Sequence, residues 1–568
     1  MDNLNINSPI KITALGGLDE MGKNCYVIDV EGEIYIIEAG VKYPNRFNTG
    51  VDLIIPDFSY LEAVQEKIKA IIITHGHDDQ YGSLPFLVKF TNVPIYATKT
   101  TVAIIKASLR NDYPDVDSYN FRIVQPSSSI VIGTNVFELF QTTHSVSESF
   151  GFALKTRFGN IIYTGDFMTD YAPLDGYRFD LPKLAKIVET DKTFLLMCES
   201  EGASTPGIAS PSHKIEPYLR DTLRDNSGKL FVSLYTQDLY NITEVINFAI
   251  KYRKRILIGN PDDLPFFNEL EKEGVLVIPR ENKTDIFNFT SLNPSDVIVL
   301  LTGNGEKLFN YIIKITNNEV RDIKITNKDT FINAAPSVPA TEKLATNAND
   351  SIYKNDCRVI YLDRKIFASM HPRQEDIKFL IYLLRPRYYF PIKGEFRLLM
   401  DNAKLAIDLN IGLNHFNCFV YDNGLTLQFD ERGNIIKQSS TIKTGDVLID
   451  NKTVGDINEE AINERSKMAD GGVIFVTCEV STKKREIVSD FDIQSRGFIY
   501  LKETEPLYGQ IINVARSEIN QNFISYGSSI EELEGVLSSK IEKVILKQTD
   551  KRPYTIVKLI DVDSFSKD

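Results

Sequence analysis

Residues 71–85, IIITHGHDDQYGSLP, are an apolar run that ends in a cluster of histidines and aspartates. His75 and His77 are two residues apart, so at a strand end both imidazoles can face one cation, and Asp79 follows two residues later. A hydrolytic zinc site draws its ligands from several parts of the chain and keeps one position for water. This stretch therefore predicts part of a metal site that other segments must complete.

Two later segments repeat the pattern of an apolar β-type run that ends on a potential ligand. VFELFQTTHSVSES delivers His144, and NIIYTGDFMTD delivers Asp166. A lone strand-end histidine is usually a hydrogen-bonded structural residue, and a lone TGD is usually a turn. Their order after the first cluster favours a metal fold, because His75, His77, His144 and Asp166 complete a four-ligand shell in which Asp166 is free to bridge to a second ion.

Length and composition indicate an ordinary soluble protein. The chain has 568 residues, enough for two to four domains, and no apolar run approaches the roughly 18 residues of a membrane helix. The polar N-terminus lacks a signal peptide pattern, so we expect a cytoplasmic protein without membrane contact. The five cysteines are scattered without a CxxC pair, which favours reduced structural thiols. A net charge of -13 leaves RNA binding undecided, because a local basic groove is compatible with an acidic total.

Local patterns predict the secondary structure around these motifs. Three β-type runs lie within residues 10–39, a helix within 60–68, and helical turns after Asp79. After Glu199 strands and helices alternate: KLFVSL, a helix at 241–252, RILIG, a helix near Phe266, VLVI and DVIVLLTGNGE, which is typical of a doubly wound domain. His213 and His415 match no ligand motif and are predicted to be solvated or capping residues.

A further helix is predicted at residues 529–547. Ser529 and Glu532 have the spacing of a capping box. Its apolar stripe, predicted to face a core, consists of Leu533, Val536, Leu537, Ile541, Val544 and Ile545.

The motifs THGHDDQYG, TTHS and TGDF resemble the successive ligand motifs of the metallo-β-lactamase superfamily. ITALGGLDEMGKNCYVI, GVKYPNRFNTGVDLIIPDFSYL and ITHGHDDQYGSLPFLV resemble the opening of ribonuclease J, a bacterial β-CASP ribonuclease, and the resemblance covers nearly the whole chain. It implies an α/β protein: a metallo-β-lactamase αββα sandwich, an inserted doubly wound β-CASP domain and a small α+β C-terminal domain. The implied bounds are 1–207 and 358–435 for the sandwich, 208–357 for the insert, 436–445 for a linker and 446–568 for the C-terminal domain.

The resemblance also implies roles for particular residues. His75, His77, His144 and Asp166 match the first metal site, and Asp79 and His371, the latter in SMHPRQED, match catalytic positions. Ser369 in the same motif and Glu199 in CESEGAS are implied substrate-binding residues. Two histidines of the second metal site are replaced, one by Gln80 and the other, in PIKGEF, by Lys393.

These replacements predict a disabled second metal site. A neutral amide is a poor zinc ligand, and a doubly charged ion about 4 Å from an ammonium would meet roughly 8 kcal/mol of repulsion at an effective dielectric near 20. We expect the Lys393 ammonium to occupy the vacated volume and to pair with Asp79 and Asp166. The alternative is that Lys393 turns into solvent.

The sequence supports two functional hypotheses, an RNA-binding subunit with little activity and an active enzyme. The first is a ribonuclease J-like protein of RNA processing and decay, similar to a degenerate second paralogue in that family. Such a subunit binds RNA, has little or no activity, holds one zinc ion at most or none, and forms a homo-oligomer or a hetero-oligomer with an active ribonuclease J. The alternative is an active metal-dependent 5′-exo/endoribonuclease that uses a single ion, with Asp79 as base and His371 at the phosphate or leaving group. Hydrolysis of a small ester or amide has little support in the sequence.

Overall fold

The computed structural model of the chain describes residues 9–44, 50–338, 341–436, 440–450, 453–454, 459–498, 505–525 and 529–564. The N-terminal residues 1–8, on which the signal-peptide prediction rests, and residues 437–439 of the predicted linker lie outside this set. The described residues divide into two compact units. The first contains those up to Tyr43 and from Ile54 to Val447, and the second contains those between Pro44 and Leu53 and from Leu448 onward.

The part of the chain before residue 200 consists mainly of strands. They are β1 (Ile10–Gly16), β2 (Cys25–Val30), β3 (Glu33–Ile37), β4 (Leu53–Pro56), β5 (Ile68–Ile72), β6 (Ile95–Ala97), β7 (Phe121–Ile123), β8 (Ser129–Ile132), β9 (Asn135–Gln141), β10 (Phe150–Thr156), β11 (Gly159–Tyr163) and β12 (Thr193–Glu199). The helices are α1 (Ser59–Ala63), α2 (Asp78–Tyr81), α3 (Leu84–Leu87), α4 (Lys99–Leu109) and α5 (Leu181–Thr190). The three runs within residues 10–39 form β1 to β3 as predicted. The helix predicted over 60–68 is shorter, because a 3-10 turn after α1 leads directly into β5.

Residues 216–361 form the inserted part of the first unit. Its helices are α6 (Glu216–Asp221), α7 (Leu239–Tyr252), α8 (Leu264–Lys272), α9 (Glu306–Thr316) and α10 (Glu342–Tyr353), and its strands are β13 (Leu230–Tyr235), β14 (Arg255–Ile258), β15 (Val297–Gly303), β16 (Thr330–Asn333) and β17 (Arg358–Tyr361). The strands form one parallel sheet in the order β14-β15-β13-β16-β17, which confirms the predicted alternation. The strand predicted for VLVI, residues 275–278, is wrong. The run is irregular, and Pro279 directly after it has no amide hydrogen to extend a ladder.

The chain then returns to the first part through α11 (Gln374–Leu384), β18 (Tyr388–Ile392), α12 (Phe396–Asp408), β19 (Leu425–Phe429) and β20 (Ser440–Thr441). Two sheets result, in the orders β20-β19-β1-β2-β3-β5-β6-β7 and β18-β12-β11-β10-β9-β8. They pack face to face: the rings of Tyr35 on β3 and Phe137 on β9 have centroids 5.0 Å apart, and both belong to one buried cluster. Leu184, Ile377 and Ala406 of α5, α11 and α12 pack with Leu196 on the outer face of the second sheet.

The second unit contains β21 (Asp446–Asp450, from its third residue), β22 (Thr453–Val454), α13 (Glu459–Gly471), β23 (Val473–Ser481), β24 (Glu486–Ile487), β25 (Asp492–Arg496), α14 (Glu505–Glu518), α15 (Ile530–Thr549) and β26 (Tyr554–Asp561). Ser529 and Glu532 form the predicted capping box at the start of α15. The stripe faces a buried core through Leu533, Leu537, Ile541 and Ile545. Val536 is the exception, because its side chain is 42% exposed.

Two predictions from composition can be compared with the described residues. All five cysteines lie within them and are free, as predicted. No helix in this part of the chain combines the length and the apolar character that crossing a bilayer would require.

The exposure difference between adjacent residues of α15 gives a test of this packing. We expect Leu537→Ala to destabilise the second unit by about 2 to 5 kcal/mol, because it leaves a cavity in the core, whereas Val536→Ala should change stability by about 0.5 kcal/mol. Hydrogen–deuterium exchange of peptides from α15 measures both effects. Equal acceleration of exchange in the two variants would contradict the assigned orientation of the helix.

Candidate active site

Strand ends from both packed sheets meet at one place. In the second sheet β11, β12 and β18 are parallel, and β9 runs in the same direction because β10 is antiparallel to both β9 and β11. Their carboxyl ends therefore lie at one edge. The residues delivered there are His144 after β9, Asp166 after β11, Glu199 at the end of β12 and Lys393 after β18, while β5 of the first sheet delivers His75 and His77.

Four of these side chains form a compact donor set. His77 Nδ1 lies 3.2 Å from His75 Nε2 and 3.3 Å from His144 Nε2. Asp166 Oδ2 lies 3.3 Å from His75 Nε2 and 3.7 Å from His144 Nε2. A tetrahedral shell with zinc–ligand bonds of 2.0 to 2.1 Å has edges of about 3.3 Å, so the separations fit one such ion.

The remaining nitrogen of each imidazole is held by a second group. The Thr74 hydroxyl donates to Glu38 Oε1 at 2.5 Å and lies 3.1 Å from His75 Nδ1. His144 Nδ1 donates to the Met370 carbonyl at 2.8 Å, and Ser145 Oγ lies 2.9 Å from His77 Nε2. These contacts orient the inward lone pairs, as the outer shell of a metal site does.

Burial favours the neutral imidazoles that metal binding requires. Burial, with a smaller contribution from His75, lowers the pKa of His77 to about 3, and the same causes hold the pKa of His144 well below its usual range. Burial also raises the pKa of Glu38 to about 8. The neutral state of His77 and His144 therefore suits a divalent metal, as does the spacing of the four-residue donor set.

A side-chain cation lies beside the donor set. The Lys393 ammonium hydrogen bonds to Asp166 Oδ2 and lies 3.2 Å from Asp79 Oδ2. Gln80 is buried, and its Oε1 has no hydrogen-bond partner among the described residues. The two carboxylates that would share a second cation are thus already paired with a side-chain cation.

Lys393 and the two carboxylates stabilise one another in their charged states. Burial opposes the charge of Lys393, but Asp166 and Asp79 outweigh it and hold the pKa of the ammonium well above its usual range. In turn Lys393 outweighs burial and lowers the pKa of both carboxyl groups. The backbone of Lys393 has φ of 54°, and its amide donates to the Tyr26 hydroxyl at 3.1 Å, so the strained turn is tied to β2.

His371 lies next to this group, with its ring centroid 5.0 Å from that of His144. Its Nδ1 is 2.8 Å from Glu199 Oε2, and its Nε2 is 3.2 Å from Glu201 Oε2. Burial opposes its charge, but Glu201 and Glu199 outweigh burial and raise its pKa to about 9. Ser369, two residues earlier, is exposed on the same loop.

Several contacts in this site were not predicted from the sequence, and the prediction for one histidine was wrong. Glu201, Thr74, Ser145 and Met370 lie inside the quoted motifs CESEGAS, THGHDDQYG, TTHS and SMHPRQED, but the spacing of residues in a motif does not predict which polar contacts these four make. His213, predicted to be solvated or capping, is fully buried, with Nε2 3.4 Å from Asp170 Oδ2. His415 lies in an exposed turn, which agrees with its prediction.

Three family models match successive parts of the chain. Residues 18–188 match the metallo-beta-lactamase superfamily, residues 227–352 match the ribonuclease J beta-CASP domain, and residues 460–562 match the ribonuclease J C-terminal domain. The chain belongs to the ribonuclease J family. Both the predicted family resemblance and the predicted fold class are therefore confirmed, whereas the domain bounds stay predictions.

Two relatives of this chain align with it over nearly their full length. Ribonuclease J 2 of Staphylococcus aureus (strain MRSA252) is 27% identical over 97% of this chain and 98% of the relative. Ribonuclease J2 of Bacillus subtilis (strain 168) is 26% identical over 97% and 99%. A solved protein of unknown function from Enterococcus faecalis V583 is 14% identical, with a TM-score of 0.51 over 74% of this chain and 100% of that chain, which shows a shared fold alone.

Replacing the buried ammonium tests the ion pairing in this ribonuclease J chain. We expect Lys393→Met to destabilise the first unit by about 3 to 5 kcal/mol in the presence of a chelator, because the buried carboxylate of Asp166 and the partly exposed carboxylate of Asp79 lose their countercharge. Urea unfolding at pH 7 measures the loss. The matched control is Lys378→Met, whose partner Glu375 is 54% exposed, and which should cost about 1 kcal/mol or less.

The loss should also depend on pH. In the parent chain the lowered pKa values of Asp79 and Asp166 contribute stability that is present above their unfolded values and is lost as pH falls through the folded values. The Met variant lacks this contribution, so its deficit should shrink as the pH falls below about 4. A deficit independent of pH, or none at neutral pH, would contradict the pairing.

Proposed function

We propose that this chain is a ribonuclease J-like subunit of RNA processing and decay whose own cleavage is weak or absent and which acts together with an active ribonuclease J. Its relatives over nearly the full length are named ribonuclease J 2, which supports an RNA-processing role. The proposal of weak or absent cleavage rests on one observation, the position of the Lys393 ammonium between Asp79 and Asp166.

The cofactor that we propose is zinc, with one ion per chain at most or none. His75, His77, His144 and Asp166 would hold it. When bound, such an ion supplies Lewis-acid activation of a phosphoryl group and of water. Asp166 Oδ2 is shared with the Lys393 ammonium, so even this ion competes for its carboxylate ligand.

The protein groups around the donor set are also poorly matched to hydrolysis. Asp79, the proposed general base, is paired with Lys393 and accepts from Asn24 Nδ2 at 3.0 Å, and its pKa is lowered by Lys393 despite burial. A base with a pKa far below the working pH removes a proton weakly. Both nitrogens of His371, the proposed phosphate-contacting residue, face carboxylates, those of Glu199 and Glu201, and the proposed substrate-binding residue Ser369 is exposed beside it. This arrangement suits a subunit that binds RNA more than it cuts it.

The alternative is an active 5′-exo/endoribonuclease that works with a single ion. The complete donor set, with each histidine held by an outer contact, favours this reading. In it His371, protonated at neutral pH by virtue of a pKa of about 9, would supply a proton to the leaving group.

Metal counting together with RNA degradation separates the two readings. We expect at most one zinc per chain by mass spectrometry and little degradation of a 5′-monophosphorylated RNA. Two metals per chain with robust exonuclease activity would refute the degenerate subunit. If slow activity is found, His77→Ala should abolish it, since activity from a contaminant would be unaffected by that change.

Restoring the missing ligands gives the complementary test. The double variant Gln80→His with Lys393→His should bind more metal than the parent, because it removes the repulsive charge and adds two imidazoles. A variant with Gln80→His alone serves as the matched control and should gain little, since Lys393 stays in place. Equal metal content in all three proteins would count against the electrostatic explanation.

A further inference from the structure

The residues in and around the donor set differ in exposure: some are fully buried, and others form a partly exposed rim. His75, His144, Asp166 and Glu199 are buried with 2% exposure or less. The rim residues are more accessible: the side chains of His371, Glu201 and Asp79 are 12%, 18% and 28% exposed. A ligand from solvent therefore meets these three residues first, together with His77, the half-buried member of the donor set.

Both nitrogens of His371 are engaged by carboxylates. Glu199 holds Nδ1 from the buried side at 2.8 Å, and it is itself fixed because its Oε1 accepts from the Phe167 amide at 2.7 Å. Glu201 lies on the open side, 3.2 Å from Nε2. The nitrogen that could donate to an entering anion is thus already occupied by an internal anion.

Glu201 is held in this position by close packing of two loops. A Cβ on Gly202 would lie 2.1 Å from the Pro372 carbonyl, so only glycine allows the turn after β12 to approach the loop that carries His371. Gln374 Nε2 donates to the Ala203 carbonyl at 3.1 Å across the same junction. The backbone at Glu201 is therefore fixed close to the loop that carries His371, which brings the two side chains within reach of each other.

Charge at the rim favours cations over anions. The two groups that can carry a positive charge are Lys393 and His371. Four carboxyl groups surround them, those of Asp79, Asp166, Glu199 and Glu201. A phosphate oxygen approaching the rim would be repelled by Glu201 at close range.

We propose that Glu201 is an autoinhibitory residue. Its carboxylate contacts His371 Nε2 where a phosphate oxygen would otherwise accept a hydrogen bond, and it excludes phosphate groups from the donor set. This inference rests on the proposed RNA-binding function, which it deepens. RNA bound by this chain is then held by surfaces outside the site, with its backbone kept away from the donor residues.

Inorganic phosphate is the probe for this inference, measured by isothermal titration calorimetry on the full chain at low salt. Glu201→Gln keeps the size of the side chain and removes its charge, so we expect phosphate affinity to rise about tenfold. Glu138→Gln is the matched control. Glu138 lies on β9, is 19% exposed and forms ion pairs with Lys155 and Lys183. The phosphate affinity of the Glu138→Gln variant should match that of the parent chain within about twofold.

Adding His371→Gln to Glu201→Gln should remove the gain, because the nitrogen released by the first change is the proposed donor. Unchanged phosphate affinity in a folded Glu201→Gln protein, or a gain that persists without His371, would overturn the proposal. Binding of a single-stranded oligoribonucleotide to the parent chain is measured separately. Its absence would refute the proposed RNA-binding function without altering the comparison of phosphate affinities.

Discussion

The buried ammonium of Lys393 determines the chemistry that this site can support. It contacts the carboxylates of Asp79 and Asp166, and each of the three groups keeps its charge because the others are close. A buried carboxylate pair needs a cation, and metal or ammonium can supply it. In this chain the Lys393 ammonium supplies it, so both acidic groups are paired with a cation from the polypeptide itself.

The fold makes this arrangement possible because residues far apart in sequence follow strands whose ends coincide. Lys393 follows β18, Asp166 follows β11 and Asp79 lies in the short helix after β5, so both sheets of the sandwich contribute. The imidazoles of the donor set are each held through their second nitrogen, as by Thr74 and the Met370 carbonyl. The site therefore retains a preorganised half, the four-residue donor set, and an altered half around Lys393.

Much of this organisation was predictable, because metal ligands at strand ends leave a strong local signal. An apolar run followed by His144 or Asp166 is recognisable in order along the chain, and Lys393 is conspicuous where a ligand motif is broken. Glu201 was not predictable, since its role arises from the approach of two loops at Gly202 and not from spacing. The buried position of His213 was missed because its polar neighbours suggest a surface turn, and residues 275–278 form no strand although their composition favours one.

We propose that the side chain of Lys393 takes the place of a second metal ion. Anomalous diffraction from crystals grown with excess zinc, measured on both sides of the zinc absorption edge, tests it most directly. We expect at most one zinc peak, within the shell of His75, His77, His144 and Asp166, and none between Asp79 and Asp166. Two zinc peaks about 3.5 to 4 Å apart, with the Lys393 ammonium displaced from both carboxylates, would contradict it.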